Sequence, residues 1–131
     1  MVAASDRSAV AFCLSGGEAH DAPAGIRLLD GVGRLPGQAY MLMDRAYEGD
    51  PVREKVREKG FTAVVPPKGN RREPWPYDTA LYRQRNKIER FFRRLKRFRK
   101  IFTRYDKLDV IFSGLIYFVM CVDAVISVNR L

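Results

Sequence analysis

The sequence predicts an α/β protein in which short strands alternate with helices. Two observations carry this prediction. Apolar runs of strand length are bounded by glycine and proline, and the segments between them begin with Asp and Pro and end at Gly, as helices do. Apolar residues make up 47% of the 131 residues, which excludes a disordered chain and suits one domain. We expect a hairpin followed by parallel strands with crossover helices, all in one mixed sheet flanked by helices.

The first residues predict an antiparallel hairpin. Residues 1–5 form one strand, residues 6–7 the turn, and the apolar residues 8–15 the other strand, which ends at a Gly-Gly pair. Cys13 lies in this second strand and Cys121 lies in another apolar run, so we expect both to be buried free thiols. Two cysteines without a secretory signal indicate a reducing cytosol.

The middle of the chain predicts two helices and two strands. Helices are expected at residues 21–32, where Asp and Pro form the start, and at residues 50–60, which begin with Asp-Pro and end with Gly. Apolar residues 39–44 and 61–65 predict strands that are buried on both faces. The first of these strands ends in the carboxylate of Asp44, and strand ends face the functional crevice in open α/β sheets.

The C-terminal half predicts an ordered loop and two long helices. The loop, residues 68–78, contains Trp75, which would either anchor the loop or stack on an unpaired base. A helix at residues 79–101, a break at 103–107 and a final helix at 108–128 follow. The final helix is apolar for nearly the ~20 residues that a membrane span needs. Because it also contains an aspartate and two serines and follows a basic helix, we expect it to be buried against the sheet.

Basic residues are concentrated in one segment, residues 82–107. This segment holds 12 Lys and Arg and 2 acidic residues, a net of +10, whereas the whole chain has a net charge of +9, so the rest of the chain sums to −1. A stripe of this kind is expected of a protein that binds the phosphate backbone of a nucleic acid. The alternative is a solvated helix face without a partner.

Four residues of this segment form a spaced motif. Tyr82, Arg85, Glu89 and Lys96 follow one another at intervals of 3, 4 and 7 residues. At about 100° per residue on a continuous helix, all four fall within about 60° of one face. Glu89 is explained either by salt bridges to neighbouring cations or by metal-assisted phosphoryl transfer. In the second case the metal requires oxygen ligands and the DNA requires cations around them.

This motif resembles the Tyr-Arg-Glu-Lys signature of bacterial insertion-sequence DDE transposases of the insertion sequence 4 and insertion sequence 5 groups. The similarity covers nearly the whole chain and is strongest over residues 42–109. Besides the motif, the similar segments are Ser15-Gly16-Gly17-Glu18-Ala19-His20-Asp21, Asp44-Arg45-Ala46-Tyr47, Val65-Pro66-Pro67-Lys68, Asn70-Arg71, Glu89-Arg90-Phe91-Phe92 and Phe102-Thr103-Arg104-Tyr105-Asp106-Lys107.

The resemblance implies a ribonuclease H-like fold and an active site of three carboxylates. Asp44 matches the second of these catalytic residues and Glu89 the third, and both would be metal ligands. Two Mg²⁺ or Mn²⁺ ions are expected in the complete enzyme. The residues expected to bind DNA are Tyr82, Arg85, Arg93, Lys96 and Arg97.

The first catalytic aspartate has no clear counterpart. In the family it usually precedes the hairpin and is followed closely by Thr, and no such Asp-x-Thr occurs here. Asp6 is the in-chain candidate and Asp21 a weaker one, but a turn Asp commonly bonds its own backbone. We expect the first ligand, the first strand and a DNA-recognition domain to lie upstream, so that residues 1–131 are a partial catalytic domain. His20 is either a metal ligand or an ordinary loop residue.

The sequence thus predicts a transposase that cleaves and rejoins the DNA of an insertion sequence in the bacterial cytoplasm, associated with the nucleoid. Its expected partners are the ends of the element and the target DNA, further copies of the chain, and an upstream reading-frame product that carries the recognition domain. No membrane is expected. The alternative is a DNA-binding fragment without catalytic activity. A metal-dependent nuclease of the same fold would differ only in not rejoining strands.

Overall fold

A computed structural model of the chain describes residues 1–34, 37–98 and 107–129. The chain divides into two compact units. We call Ser15–Arg85 the parallel-sheet unit, and Met1–Leu14 together with Asn86–Leu131 the hairpin unit. Both helices and strands are present, which confirms the predicted α/β class.

The elements have the following bounds in chain order. They are β1 (Val2–Ala3), β2 (Ala9–Ala11), α1 (Asp21–Asp30), β3 (Ala39–Leu42), a 3₁₀ helix at Arg45–Tyr47, α2 (Asp50–Glu58), β4 (Phe61–Val64), α3 (Thr79–Tyr82), a 3₁₀ helix at Arg83–Arg85, α4 (Asn86–Leu95) and α5 (Asp109–Asn129).

In the parallel-sheet unit, α2 is the crossover between two parallel strands. β3 and β4 pair in register from Ala39 opposite Phe61 to Leu42 opposite Val64. Helix α2 buries one valine per turn against the sheet, and Gly60 ends it with a φ of 84°, a conformation that favours glycine. The predicted helix and both strands of this crossover are confirmed. The buried apolar residues of this unit are Leu29, Val32, Met41, Met43, Val52, Val56, Phe61, Val64 and Val65.

Two lysines, Lys55 in α2 and Lys59 in the turn after it, bind the C-terminal end of α1. Lys59 donates hydrogen bonds from Nζ to the backbone carbonyls of Asp30 at 3.3 Å and Val32 at 3.1 Å, which satisfies carbonyls at the end of α1. Lys55 pairs with the Asp30 carboxylate at 2.8 Å. The hydrogen bond from Lys55 lowers the pKa of Asp30, and the same bond raises the pKa of Lys55.

The hairpin unit has a small core of its own. Phe91 and Leu95 of α4 and Val119 of α5 are its buried centre, and Met1, Ala9, Phe98, Leu115 and Met120 pack around them. Phe12 adds a tilted ring contact to Tyr117 of α5, with 4.6 Å between ring centroids.

Arg94 ties three parts of the hairpin unit together. Its guanidinium pairs with the carboxylate of Asp123, and it donates hydrogen bonds to the Ser127 hydroxyl at 2.8 Å and to the backbone carbonyl of Asp6 at 3.0 Å. The side chains of Arg94 and Asp123 are only 20% and 13% exposed. Asp123, the one charged residue within the apolar part of α5, is therefore satisfied inside the unit.

The prediction of one mixed sheet is wrong for the described residues. β1 pairs with β2 in one two-stranded sheet and β3 with β4 in another. The antiparallel hairpin itself is confirmed, but its strands have two and three residues and a register shift between Val2 and Ala3. Strands this short and irregular leave little edge on which a larger sheet can grow.

The predicted continuous helix from residue 79 is also wrong in its first part. A 3₁₀ helix at Arg83–Arg85 separates α3 from α4. A 3₁₀ helix turns by about 120° per residue instead of about 100°, so the four-residue motif does not follow one straight α-helical face. The predicted end at residue 101 and the break at 103–106 lie outside the described residues.

The final helix is confirmed, but its predicted burial is only partial. Only one stripe of α5, formed by Phe112, Ile116 and Val119, is buried, and Val119 packs with Phe91 and Leu95 of α4 in the core of the hairpin unit. Apolar residues on other sides, such as Val110 and Phe118, are exposed. Among the described residues α5 is the one helix long and apolar enough to cross a membrane by length and composition.

Two smaller predictions also need correction. Neither β3 nor β4 is buried on both faces, because Tyr40 is 46% exposed and its partner in register, Thr62, is exposed as well. Cys13 and Cys121 form no disulfide, as predicted, but both are exposed rather than buried. Apolar neighbours in the sequence do not bury a residue whose own side of the element faces solvent.

Candidate active site

Asp44 lies where the chain leaves β3. The backbone N–H of Met43 still donates to the Val64 carbonyl at 3.0 Å, and Asp44 then caps the following 3₁₀ helix, with its Oδ1 accepting from the N–H of Ala46 at 3.3 Å. A short carboxylate suits this cap because it reaches an N–H that has no partner within the helix. The Asp44 side chain is 54% exposed. Local structure therefore fixes the residue and still presents its carboxylate to solvent.

Arg85 is the cation next to this carboxylate. Its guanidinium nitrogen lies 3.4 Å from Oδ2 of Asp44. The guanidinium also lies 5.8 Å from the ring centroid of Tyr82, which itself makes an edge contact with Tyr77. The sequence predicted a DNA contact for Arg85 and missed its pairing with Asp44, because no local spacing connects two residues so far apart in the chain.

Behind the Asp44 turn lies a buried acid that the sequence analysis missed. Glu48 is 5% exposed, and its carboxylate pairs with Arg71 at 3.0 Å and with Lys68 at 3.7 Å. The same Arg71 guanidinium also pairs with Asp50 at the start of α2. One arginine thus joins the loop at residues 68–78 to the end of the connection that follows β3 and to the first residue of α2. Nothing in the charge pattern of the sequence distinguishes Glu48 from the exposed acids around it.

Trp75 anchors the same loop. Its Nε1 donates to the carbonyl of Val65 at 2.9 Å, directly after β4. The guanidinium of Arg53 lies 3.6 Å from the indole ring centroid and that of Arg71 lies 4.6 Å from it. These are cation–π distances. The anchoring alternative for Trp75 is therefore the one that the structure favours.

In the hairpin unit, Glu89 lies in the first turn of α4 and is exposed. A carboxylate is favourable there because it faces the positive end of the helix dipole. The backbone N–H of Lys96 still donates to the Phe92 carbonyl at 3.0 Å, so Glu89, Arg93 and Lys96 share one exposed face within about 60°. Arg97 is exposed on the turn that follows. Part of the predicted basic face is thus present on α4.

Two other candidate metal ligands, Asp6 and His20, lie at positions that local structure explains. The Asp6 carboxylate lies 3.9 Å from Nε of Arg90, and its carbonyl accepts from Arg94. His20 is the N-cap residue of α1 and makes no side-chain cap hydrogen bond, with Asp21 in the first turn. Within the described part of either unit, no three His, Cys, Asp or Glu side chains come together as a metal site would require.

Comparison with known proteins gives three findings. A family model described as "Transposase DDE domain" matches residues 41–125, and a second model with the same description matches residues 1–74. A Brucella ovis protein named "Putative transposase for insertion sequence element IS6501" is 33% identical over 98 residues, which cover 74% of this chain and 73% of that protein. No solved structure matches the chain significantly. Residues 41–74, which include Asp44, lie in both family matches.

Proposed function

Because this chain belongs to the family of DDE-domain transposases, as its sequence predicted, we propose that it cleaves and joins DNA strands of an insertion sequence by metal-dependent phosphoryl transfer. Asp44 and Glu89 are the proposed catalytic carboxylates. We propose further that the complete catalytic domain has a ribonuclease H-like fold, in which β3, α2 and β4 form a parallel crossover.

One observation carries this proposal, the placement of Asp44. It stands at the carboxyl end of a parallel strand, is capped by a backbone N–H, is about half exposed, and has a guanidinium 3.4 Å from its second oxygen. Strand ends of this kind face the functional crevice in open α/β sheets. A carboxylate held in this way keeps its orientation while a phosphate approaches the cation beside it.

The donors of Asp44 and Glu89 fit a divalent metal. Both are exposed carboxylates, and their hard oxygen atoms are the ligands that Mg²⁺ and Mn²⁺ prefer. When bound, two such ions would activate a water molecule or a DNA 3′-hydroxyl and stabilise the leaving oxygen at phosphorus. The task of the two side chains is to hold their oxygens in fixed directions, which the cap at Asp44 and the helical turn at Glu89 support.

The cations near these carboxylates are proposed to bind the DNA backbone. Arg93 and Lys96 share the exposed face of α4 with Glu89, and Arg97 follows. Arginine suits two-point contacts to phosphate oxygens, and lysine acts as a point charge. Tyr82 and Arg85 complete the proposed set. The net charge of +9 supports a polyanionic partner.

A DNA-binding fragment without catalysis is the second candidate. The observation that favours it is the pairing of Asp6 with Arg90, which gives the in-chain candidate for the first catalytic aspartate a structural partner. If the first ligand lies upstream, this chain binds DNA and does not cleave it alone. An upstream reading-frame product, self-association, and a cytoplasmic, nucleoid-associated location remain part of the proposal for the active enzyme.

Nicking of supercoiled DNA by the purified chain in Mn²⁺ tests the proposal. We expect Asp44→Asn and Glu89→Gln each to reduce nicking by more than about 100-fold, since losing a ligand should exceed the 10–100-fold typical of its supporting groups. DNA binding by these variants should be retained. Glu54→Gln, which removes the same charge from an exposed site on α2, is the matched control.

The outcomes of this assay separate the two candidates. Nicking that survives in both variants would show that the assignment of Asp44 and Glu89 is wrong. A wild-type chain that binds DNA and does not nick it would favour the DNA-binding fragment. Nicking without strand joining on a 3′-hydroxyl substrate would identify a nuclease.

A further inference from the structure

The buried Glu48 lies on the same short turn as Asp44. The 3₁₀ helix at Arg45–Tyr47 is capped by Asp44 on one side, and Glu48 follows it on the other. Three hydrogen bonds close the turn: Ala46 N–H to Asp44 Oδ1, Tyr47 N–H to the Asp44 carbonyl at 2.9 Å, and Glu48 N–H to the Arg45 carbonyl at 3.2 Å. The backbone of Asp44 therefore cannot move independently of Glu48.

Two contacts hold this turn against its own unit. The ring of Tyr47 lies over Gly25 of α1, so closely that a Cβ on Gly25 would be 2.8 Å from the ring. On the other side, Arg71 holds the buried Glu48 and bridges it to Asp50. A buried carboxylate requires such a partner, because an unpaired buried charge is strongly unfavourable. The planar guanidinium contacts the two carboxylates through two different nitrogens, a fixed geometry that the single nitrogen of a lysine does not reproduce.

We infer that Glu48 and Arg71 are positioning residues for the Asp44 carboxylate, which they hold in place through the 3₁₀ turn. The inference rests on the proposed role of Asp44 as a metal ligand. In this inference both residues act through the turn and not by contact with the proposed metal or the DNA. Arg71 reaches the turn from the loop at residues 68–78, whose own position is set by the Trp75 hydrogen bond to Val65. The loop, the 3₁₀ turn and the Asp44 carboxylate are thus linked by a continuous series of contacts.

Amide hydrogen exchange in the full-length chain tests the positioning directly. In Arg71→Gln and Glu48→Gln, the amides of Ala46, Tyr47 and Glu48 should exchange faster by about tenfold, the change expected when one charge-assisted contact is lost. Amides of β4 should keep their wild-type rates. Arg71→Lys should lie between wild type and Arg71→Gln, because it retains the charge and loses the bridge to Asp50.

The matched control is Lys55→Gln, which breaks the exposed ion pair with Asp30 in the same unit and should leave the turn amides unchanged. If the pair acts as a unit, the double variant of Glu48→Gln and Arg71→Gln should exchange no faster than either single variant. Unchanged exchange at residues 46–48, or an equal increase in β4, would overturn the inference.

Mn²⁺ binding, followed by broadening of the Ala46 amide signal, provides the second readout. We expect the Glu48 and Arg71 variants to bind Mn²⁺ roughly threefold to tenfold more weakly. This loss is smaller than the 10–100-fold typical of residues that contact a metal-binding side chain directly. Full Mn²⁺ affinity in variants with faster turn exchange would also overturn the inference. A wild-type chain whose Asp44 does not respond to Mn²⁺ would instead overturn the proposed function, while exchange would still show whether the pair holds the turn.

Discussion

The Asp44 carboxylate has two proposed neighbours of opposite charge, a metal ion and a DNA phosphate. The Arg85 guanidinium, 3.4 Å from Oδ2, neutralises the carboxylate and is also a suitable phosphate ligand. A metal ion at Asp44 would compete with Arg85 for the same oxygen. The proposed function therefore implies that metal binding and phosphate binding at Asp44 are coupled through the Arg85 guanidinium.

Replacing Arg85 with Ala should separate these two roles. We expect Mn²⁺ to bind Asp44 more tightly in Arg85→Ala, because a competing positive charge has been removed. DNA binding should weaken, with the slope of log K against log salt smaller by about one unit, the value for one lost phosphate contact. Mn²⁺ titration by NMR and DNA binding at several salt concentrations measure the two effects.

Arg85→Lys is the control for charge in this experiment. It should retain most of the salt dependence and bind Mn²⁺ much as the wild type does, since a positive charge remains near Asp44. If Arg85→Ala changes the salt slope and leaves Mn²⁺ affinity unaltered, then Arg85 contacts DNA and does not compete at Asp44.

At the scale of single elements, α5 is a mostly apolar helix that also makes polar contacts with Arg94 of α4. Val119 of its buried stripe packs with Phe91 and Leu95 of α4. Arg94 pairs with Asp123 and donates a hydrogen bond to the Ser127 hydroxyl. The serines and the aspartate that distinguish this helix from a purely apolar one are thus partly explained by a specific contact in the hairpin unit.

Asp123→Ala tests how much this attachment contributes to stability. The variant leaves the largely buried Arg94 without its carboxylate, so we expect the free energy of unfolding to fall by about 1–3 kcal/mol. Urea denaturation followed by circular dichroism measures this. Asp30→Asn, which removes an acid from an exposed ion pair, should change stability little by comparison. Equal effects of the two variants would show that burial of the Arg94 pair is unimportant.

Substitution by Ala should have opposite effects on the free energy of unfolding at two helical glycines, Gly114 and Gly25. In α5, a Cβ at Gly114 would meet no atom within 4 Å, so Gly114→Ala should raise the free energy of unfolding by about 0.5–1 kcal/mol through helix propensity. In α1, a Cβ at Gly25 would be 2.8 Å from the Tyr47 ring. Overpacking costs about 1–3 kcal/mol, which exceeds the gain in helix propensity. Gly25→Ala should therefore lower the free energy of unfolding by up to about 2 kcal/mol.

Thermal denaturation of the two variants checks this contrast. A stabilising Gly25→Ala would mean that the Tyr47 ring moves away at little cost, and so that the contact between α1 and the Asp44 turn is loose. Mn²⁺ binding by the same variant should then be unaffected.

At the scale of the whole molecule, charge is distributed unevenly along the chain. Residues 82–107 account for the entire net positive charge of the chain, and the described part of this segment exposes Arg93, Lys96 and Arg97. Phosphate binding depends on such local concentration of charge more than on the total. The effect of removing cations should therefore depend strongly on where they are removed.

A comparison of two triple variants tests this dependence. Replacing Arg93, Lys96 and Arg97 with Ala should weaken binding to duplex DNA and reduce the salt slope by about two to three units. Replacing three exposed arginines of the parallel-sheet unit, Arg27, Arg57 and Arg72, removes the same charge and should reduce the slope by less than one unit. Equal effects in both variants would show that net charge alone drives binding.

Much of this protein was predictable because its signals are local. Helix starts at Asp and Pro, the stop at Gly60 and the apolar strands β3 and β4 are determined by neighbours in the sequence, and all are found. The family was also predictable, because the motif of Tyr82, Arg85, Glu89 and Lys96 has a spacing that resembles the family's signature, and the family itself is confirmed. These features require no knowledge of how distant segments pack.

Tertiary structure alone decided the rest. The 3₁₀ helix before α4, the separate two-stranded sheets and the exposure of α5 depend on packing between elements, which local patterns do not encode. The burial of Glu48 against Arg71 and the pairing of Arg85 with Asp44 join residues distant in the chain. A charged side chain has the same sequence signal whether it faces water or a partner, and the free energy that separates these cases arises only when the chain has folded.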